Sequence, residues 1–332
     1  MHPKQKIATE PGRTAFIGVF LVFLRLGLTS FGGPVAHIGY FREEFVRRRR
    51  WLSESLYADL VALCQFLPGP VSSQVGMAVG LSRAGYPGAL AAWLGFMLPS
   101  ALVLILFALG LYGYGDQLPA EALQGFKIAA VAVVAQAVWG MARTLCPDMP
   151  RMALMAAATC LALLRPGLWG QVGVIALGGA VGGLLFTPAE ESGESLPLAV
   201  SRREGAVWLC TFLALLVGLP VVAGLYASQT LALVDAFYRA GALVFGGAHV
   251  VLPLLQAEVV PVGWVDNDYF LAGYGAAQAV PGSMFSFAAF LGAAMTAPPS
   301  GWLGGADLSA GGVSTLIFTG RRHATLLAAA AR

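Results

Sequence analysis

The sequence predicts an all-α, polytopic membrane protein with two pseudo-symmetric repeats and helices broken at Pro-Gly motifs. Three observations carry this expectation. The first is composition: of 332 residues, 58% are hydrophobic and 11% are charged, with a mean hydropathy of +0.74. Soluble domains carry about a quarter charged residues, so this chain has too few to wet a globular surface. The second is a series of apolar runs at 15–28, 89–111, 128–141, 171–186, 206–226 and 240–255. Several approach the ~20 residues that a helix needs to cross a bilayer, and lipid leaves backbone amides to be satisfied within their own segment, which favours helices. The third is that the chain repeats itself.

"FLRLGLTSFGG" at 23–33 returns as "FYRAGALVFGG" at 237–247. At an offset of 214, Phe23, Arg25, Gly27, Phe31, Gly32, Gly33 and Glu44 meet Phe237, Arg239, Gly241, Phe245, Gly246, Gly247 and Glu258. After a one-residue gap, Trp51, Gln65, Pro68, Gly69 and Ser73 meet Trp264, Gln278, Pro281, Gly282 and Ser286. Chance similarity between two greasy helices would match Leu with Val, not Arg, Gln, Trp and Pro-Gly. Internal repeats of this kind mark many transporters. The first repeat connects through "FREEFVRRRRW", whereas the second has "QAEVVPVGWVDND", which holds no Lys or Arg. Basic short loops stay in the cytoplasm, so the loops are expected on opposite faces, as an inverted repeat. Lys4, Lys6 and Arg13 also belong in the cytoplasm, which requires the first apolar segment, or the one around Pro68, to re-enter without crossing.

The expected organisation is an N-terminal tail 1–13, a first transmembrane repeat 14–187, a polar linker 188–205, a second, incomplete repeat 206–303 and an atypical tail 304–332. The N-terminus reads as a retained tail without a cleavage signal. The four cysteines follow no metal or disulfide spacing. A net charge of +3 gives no reason to expect nucleic acid. The glycines fall within apolar runs, where small residues let helices approach; no phosphate-binding loop or dinucleotide fingerprint appears, and neither a cofactor nor a metal is expected.

The chemistry concentrates at "QFLPGPVSSQ", 65–74, and "QAVPGSMFSF", 278–287. Proline removes a helix hydrogen bond and clashes with the preceding turn, so each Pro-Gly should split a helix. The following half-helix then begins with unpaired N–H groups at the positive end of its dipole, which favours anions. Pro68, Gly69, Pro281 and Gly282 supply the breaks, and Ser72, Ser73, Ser283 and Ser286 add hydroxyls. Gln65 and Gln278 precede each break by three residues. Phe31, Gly32 and Gly33, with Phe245, Gly246 and Gly247, form a second pair of helix breaks. Arg25 and Arg239 each put a guanidinium, a fork suited to oxyanions, inside an apolar run where a charge is costly and usually functional. Asp235, four residues before Arg239, offers the alternative of a structural pair. Asp59, Glu44 and Glu258 are candidates for proton coupling, whereas His37 and His249 read as helix-end or core histidines.

These passages resemble the chromate ion transporter family in its long two-domain form, over roughly residues 14 to 300. The resemblance rests on the paired F-G-G motifs, the P-G-P and P-G-S breaks, and "GWVDNDYFLAGYGAAQAVPGSMFSFAAFLG". It implies a multi-pass protein of the cell inner membrane that is not an enzyme and moves chromate outward by alternating access, conferring resistance. The partners it implies are the lipid bilayer, a chromate or sulfate-like dianion and a homodimer. Rival readings are uptake or exchange of sulfate or another oxyanion, an intramembrane hydrolase, and a non-transporting membrane protein. After Gly282 only about 50 residues remain, so a truncation or frameshift near 304–307 is expected.

Overall fold

The computed structural model describes residues 13–114, 146–164, 168–185, 201–226, 228–244 and 251–295, with helical residues scattered through 124–143. The second F-G-G motif, His249 and the tail beyond 303 lie outside the described residues. What is described is helical and strand-free. The protein is a multi-helix membrane protein whose lipid-facing character is legible in its exposed surface.

The first half consists of α1 (Arg13–Thr29), α2 (Gly33–Arg42) running on into a π turn at Glu43–Arg48, α3 (Glu54–Phe66) and α4 (Val71–Tyr114). Along α1, Val19, Val22, Phe23 and Leu26 are buried at helical spacing, while Ile17, Leu21 and Leu28 face outward. After the break at Gly32 the chain doubles back. Phe23 touches Phe41 and Phe45, at ring distances of 5.8 and 5.2 Å. The pair forms a helical hairpin with basic residues at both of its ends.

α3 and the start of α4 repeat this shape. α3 is capped by Ser53, which accepts from the Leu56 N–H, and ends at Leu67 in extended backbone. α4 then descends: Gly76 packs on Phe23, and Arg83 lies 4.9 Å from the Trp51 ring at the charged loop. There Ala84 and Gly85 leave helical geometry. A Cβ on Gly80 would sit 2.3 Å from the Gly88 carbonyl oxygen, so the two arms of α4 fold into a tight hairpin. Glycine is obligatory at that crossing. The second arm, at 1.5 Å per residue, is about 40 Å long and can cross a bilayer. It packs on α1 through glycines: a Cβ on Gly27 would lie 2.8 Å from the Phe96 carbonyl oxygen.

Beyond this body, α5 (Met149–Leu164) and α6 (Leu168–Leu185) pack on each other. α7 (Arg202–Leu225) starts from a capping box between Ser201 and Glu204, so a helix begins inside the stretch read as the tail of the linker. Val207, Val217, Val221 and Leu225 project from α7 unburied, a surface that only lipid or another apolar partner can cover. Among the described residues, Val71–Leu111 and Arg203–Leu225 are long and apolar enough to cross a membrane, the former divided by the break at Ala84–Gly85.

The second half comprises α8 (Gln229–Ala242), α9 (Val251–Val259), α10 (Asn267–Ala279), a 3-10 turn (Met284–Ser286) and α11 (Phe287–Ala293). The apolar run at 240–255 is therefore not one helix, because Leu243 leaves helical geometry at φ −110, ψ 14. The turns of the first half recur. Trp51 and Leu52 both donate to the Phe45 carbonyl, and Trp264 and Val265 both donate to that of Val259. Arg50 and Gly263 both take positive φ. α3 and α10 are each 13 residues long, and both end in extended residues, Leu67 and Val280. Past the breaks the halves diverge, since α11 has only 7 residues. One apolar core joins the halves, with Trp93, Met97 and Leu104 of α4 packed among Phe285, Phe287 and Phe290.

Candidate functional site

The two Pro-Gly breaks meet, and each is fastened to the opposite half. The Gly69 N–H donates to the Val244 carbonyl at 2.6 Å, and the Gly282 N–H donates to the Ser30 carbonyl at 2.9 Å. Ser30 and Val244 occupy equivalent places, at the ends of α1 and α8, so the two bonds exchange under the repeat. Both glycines have φ beyond what side chains tolerate, +123 at Gly69 and +103 at Gly282. Between the breaks the Ser73 and Ser283 hydroxyls approach to 3.5 Å, with Ser72 buried beside them.

The first break is held by a residue the sequence reading had left without a role. Gln74 is fully buried, and its Nε2 donates to the Pro68 carbonyl at 2.9 Å, a carbonyl that the proline break strips of its helical partner. A glutamine one turn past a Pro-Gly was the available signal. α4 opens there with first-turn amides that have no carbonyl within their own helix. The second break differs. Ser283 accepts from the Phe285 N–H at 3.3 Å, and the Ser286 hydroxyl donates to the Ser283 carbonyl at 2.5 Å. The 3-10 turn and α11 are too short to build an appreciable dipole, so the electropositive helix end belongs to the first half alone.

The arginines are not gathered at the serine contact. Arg25 stands on the exposed face of α1, about 200° around the helix from Gly27; its charge acts on Glu44. Arg239 is engaged by two carboxylates: Asp235 Oδ2 at 2.9 Å and Glu258 Oε2 at 3.2 Å. Gln65 is exposed in the last turn of α3, and Gln278 is half-buried at the end of α10 in contact with Tyr274. Phe31 and Gly32 are exposed at the tip of the first hairpin, and Gly33 is buried. Pro281 is half-buried beside Gly282. Asp59 is half-buried on α3. His37 is buried edge-on to Phe96, at 5.2 Å between ring centres.

Glu44 lies in the charged segment at the membrane edge, gripped by Arg48 at 2.9 Å and Arg49 at 2.7 Å. Burial pushes its carboxyl upward, but the Arg49 hydrogen bond and the charges of Arg49, Arg48 and Arg25 outweigh it and hold it below the usual range. Arg49 and Arg83 both lie over the Trp51 ring, at 5.2 and 4.9 Å. Among the described residues no cluster suited to a metal ion occurs.

Helices broken at Pro-Gly whose tips meet between two similarly folded halves resemble the polytopic membrane proteins in which ligand sites form from discontinuous helices. No solved structure matches this chain. The family model described as Chromate transporter matches residues 17–184 and 231–328, and the chain belongs to that family. The second matched stretch runs on through the segment read as an atypical tail. The chain is 29% identical over 300 residues to a chromate transport protein of Pseudomonas aeruginosa, covering 85% of this chain and 67% of the relative. It is 28% identical over 276 residues to a probable chromate transport protein of Synechococcus elongatus, covering 81% of this chain and 67% of the relative. The uncharacterized transporter YwrA of Bacillus subtilis is 39% identical over 89 residues, 27% of this chain and 50% of that protein.

Proposed function

We propose that this chain is an inner-membrane carrier that exports chromate, a tetrahedral dianion, by alternating access at the contact between its two halves, and so confers chromate resistance. The observation that carries this reading is the reciprocal fastening of the two breaks, Gly69 to Val244 and Gly282 to Ser30, around the Ser73–Ser283 contact. An oxyanion there would take hydrogen bonds from the serine hydroxyls and the opening amides of α4, with the dipole favouring its charge. Gln65 and Gln278 line the approaches. Arg25 draws the anion inward, its charge offset only in part by Glu44, while Arg239 is retained by its carboxylates. Each fastening is a single backbone hydrogen bond, worth about 0.5–1.5 kcal/mol net, so the breaks can unfasten at modest cost, while any movement of one half against the other must slide within the apolar core they share.

The two halves are taken as inverted repeats. The loop holding Arg47–Arg50 stays cytoplasmic, and the loop holding Asp266 and Asp268 faces the other side. Coupling to protons runs through one or more of Asp59, Glu44 and Glu258. The experiment is chromate flux into inverted membrane vesicles, with and without a proton gradient and with sulfate as competitor. Uptake of chromate that excess sulfate does not suppress is expected; flux of sulfate alone would replace the reading with sulfate exchange, and no anion flux would remove it.

A further inference from the structure

The two halves place an arginine and a glutamate at equivalent positions but pair them differently: Glu258 takes Arg239, whereas Glu44 takes Arg48 and Arg49. Arg25 and Glu44 in the first half correspond to Arg239 and Glu258 in the second. Where the second half has Asp235, the first half has Leu21, an exposed apolar residue. Asp235 is 5% exposed, on a helix otherwise buried over Ala236–Tyr238. Its Oδ2 takes the Arg239 Nε and Nη2, each at 2.9 Å, while its Oδ1 is buried without a hydrogen-bond partner. The same guanidinium also serves Glu258 at 3.2 Å. Two carboxylates thus share one cation, leaving one negative charge in excess beside the buried Asp235, while Glu258 is half-buried.

Among the described residues of the elements packed on α8, no other charge is found beside the group. α7, which packs on α8 and accepts the Tyr238 hydroxyl through the Phe212 carbonyl, has its charged residues only at 202–204, in its first turn. α9 brings Glu258 alone. Burying an unbalanced charge costs several kcal/mol, and the usual relief is a proton. A carboxyl oxygen that lacks a donor and points into a dry site is where that proton would sit.

We infer that Asp235 and Glu258 together form a proton-binding site, organised by Arg239 and seated on the orphaned Oδ1 of Asp235, through which the second half of the carrier couples anion movement to protons. The inference rests on the transport reading for its role in coupling, but the proton itself is independent of any flux. When Asp235 is protonated, Arg239 pairs one-to-one with Glu258. When the proton leaves, the second carboxylate competes for the guanidinium and draws Arg239 away from α9. Protonation therefore selects between two arrangements of α8 and α9, directly below the Val244 carbonyl that fastens the first break.

The test uses the purified full-length protein in lipid, with the protonated-carboxyl C=O stretch followed by infrared difference spectroscopy during pH titration. One buried carboxyl band should appear and vanish with pH. It should be lost in Asp235→Leu, which copies the first half, and also in Glu258→Gln, which leaves Asp235 alone with Arg239. In vesicles, Asp235→Leu should retain chromate flux but lose its dependence on the proton gradient. A wild-type protein without such a band, or a band that survives both substitutions, overturns the proton site. Loss of the band with flux still gradient-dependent overturns the coupling role and leaves the transport reading standing. Absence of chromate flux in the wild type, with the band present, overturns the transport reading and the coupling role but not the proton site.

Discussion

Replacing Gly282 by alanine probes the junction of the two halves at its tightest point. Gly282 has φ +103, where an L-residue costs about 1–2 kcal/mol. A Cβ there would sit 3.0 Å from the Gly27 carbonyl oxygen, 3.0 Å from the Ser100 hydroxyl and 3.2 Å from the Phe96 carbonyl oxygen. Two of these three neighbours are backbone atoms of α1 and α4, which cannot swing aside as a side chain can. The break must therefore retreat, and retreat loses the Gly282-to-Ser30 hydrogen bond, worth about another 1 kcal/mol. Together these give about 2–3 kcal/mol, or a fall in Tm on the order of 3–4 °C. The assay is thermal unfolding of the protein in detergent, read by size-exclusion chromatography, with chromate flux measured in parallel. Gly179→Ala is the control, since a Cβ at Gly179 meets nothing within 4 Å and alanine is the better helix former. A Gly282→Ala protein as stable and as active as the Gly179→Ala protein would refute the packing argument and with it the joint as a moving part.

Three further outcomes follow from the same geometry. Ser73→Cys with Ser283→Cys, in a protein with Cys64, Cys146, Cys160 and Cys210 replaced, should cross-link on oxidation, because the hydroxyls are 3.5 Å apart; flux should stop and return with reductant, and failure to cross-link would separate the breaks. Glu44→Gln should remove an acid-sensitive share of stability. The Glu44 carboxyl is held below its usual value of 4.5, so its contribution is full above that pH and fades as pH falls through the lowered value. The gap in Tm between wild type and variant should accordingly be widest near neutrality and close in acid. Arg25→Ala, in protein that still reaches the membrane, should abolish chromate efflux from cells; undiminished efflux would remove Arg25 from the anion's path.

Periodicity and composition made the helical membrane fold legible, because lipid admits few alternatives to a helix. They did not reveal how apolar runs divide. The run at 89–111 gives no sign that the helix before it folds back on it, and only Gly85 and Pro87 hint that α4 turns. The run at 240–255 hides the end of α8 for the same reason: Leu and Val fit equally well inside a helix and beside its end. At the site, the Pro-Gly breaks were visible because proline and glycine act through their own backbone. Their fastening to Ser30 and Val244 was not, since a backbone hydrogen bond leaves no mark on side-chain identity. Arg239 was half legible. Asp235 lies one turn away on the same helix, but Glu258 reaches it from 19 residues on, across a fold that spacing alone cannot supply. The face of α1 that holds Arg25 was equally hidden, for want of any partner at helical spacing.

The differences between the halves matter as much as their likeness. A carrier needs two arrangements of nearly equal energy, because a ligand shifts an equilibrium only by its differential affinity. Halves that share their turns, their glycine breaks and their reciprocal hydrogen bonds supply such a pair, since each can take the other's posture. Perfect equivalence would give exchange without direction. Here the first half carries the basic loop, the long helix end at Val71 and an arginine on an exposed face. The second carries a seven-residue α11 and an arginine held between two acids. On the proposed reading, the first half would attract the anion and the second the proton. A change in either ligand would then tilt the balance between two postures that the shared frame leaves close in energy.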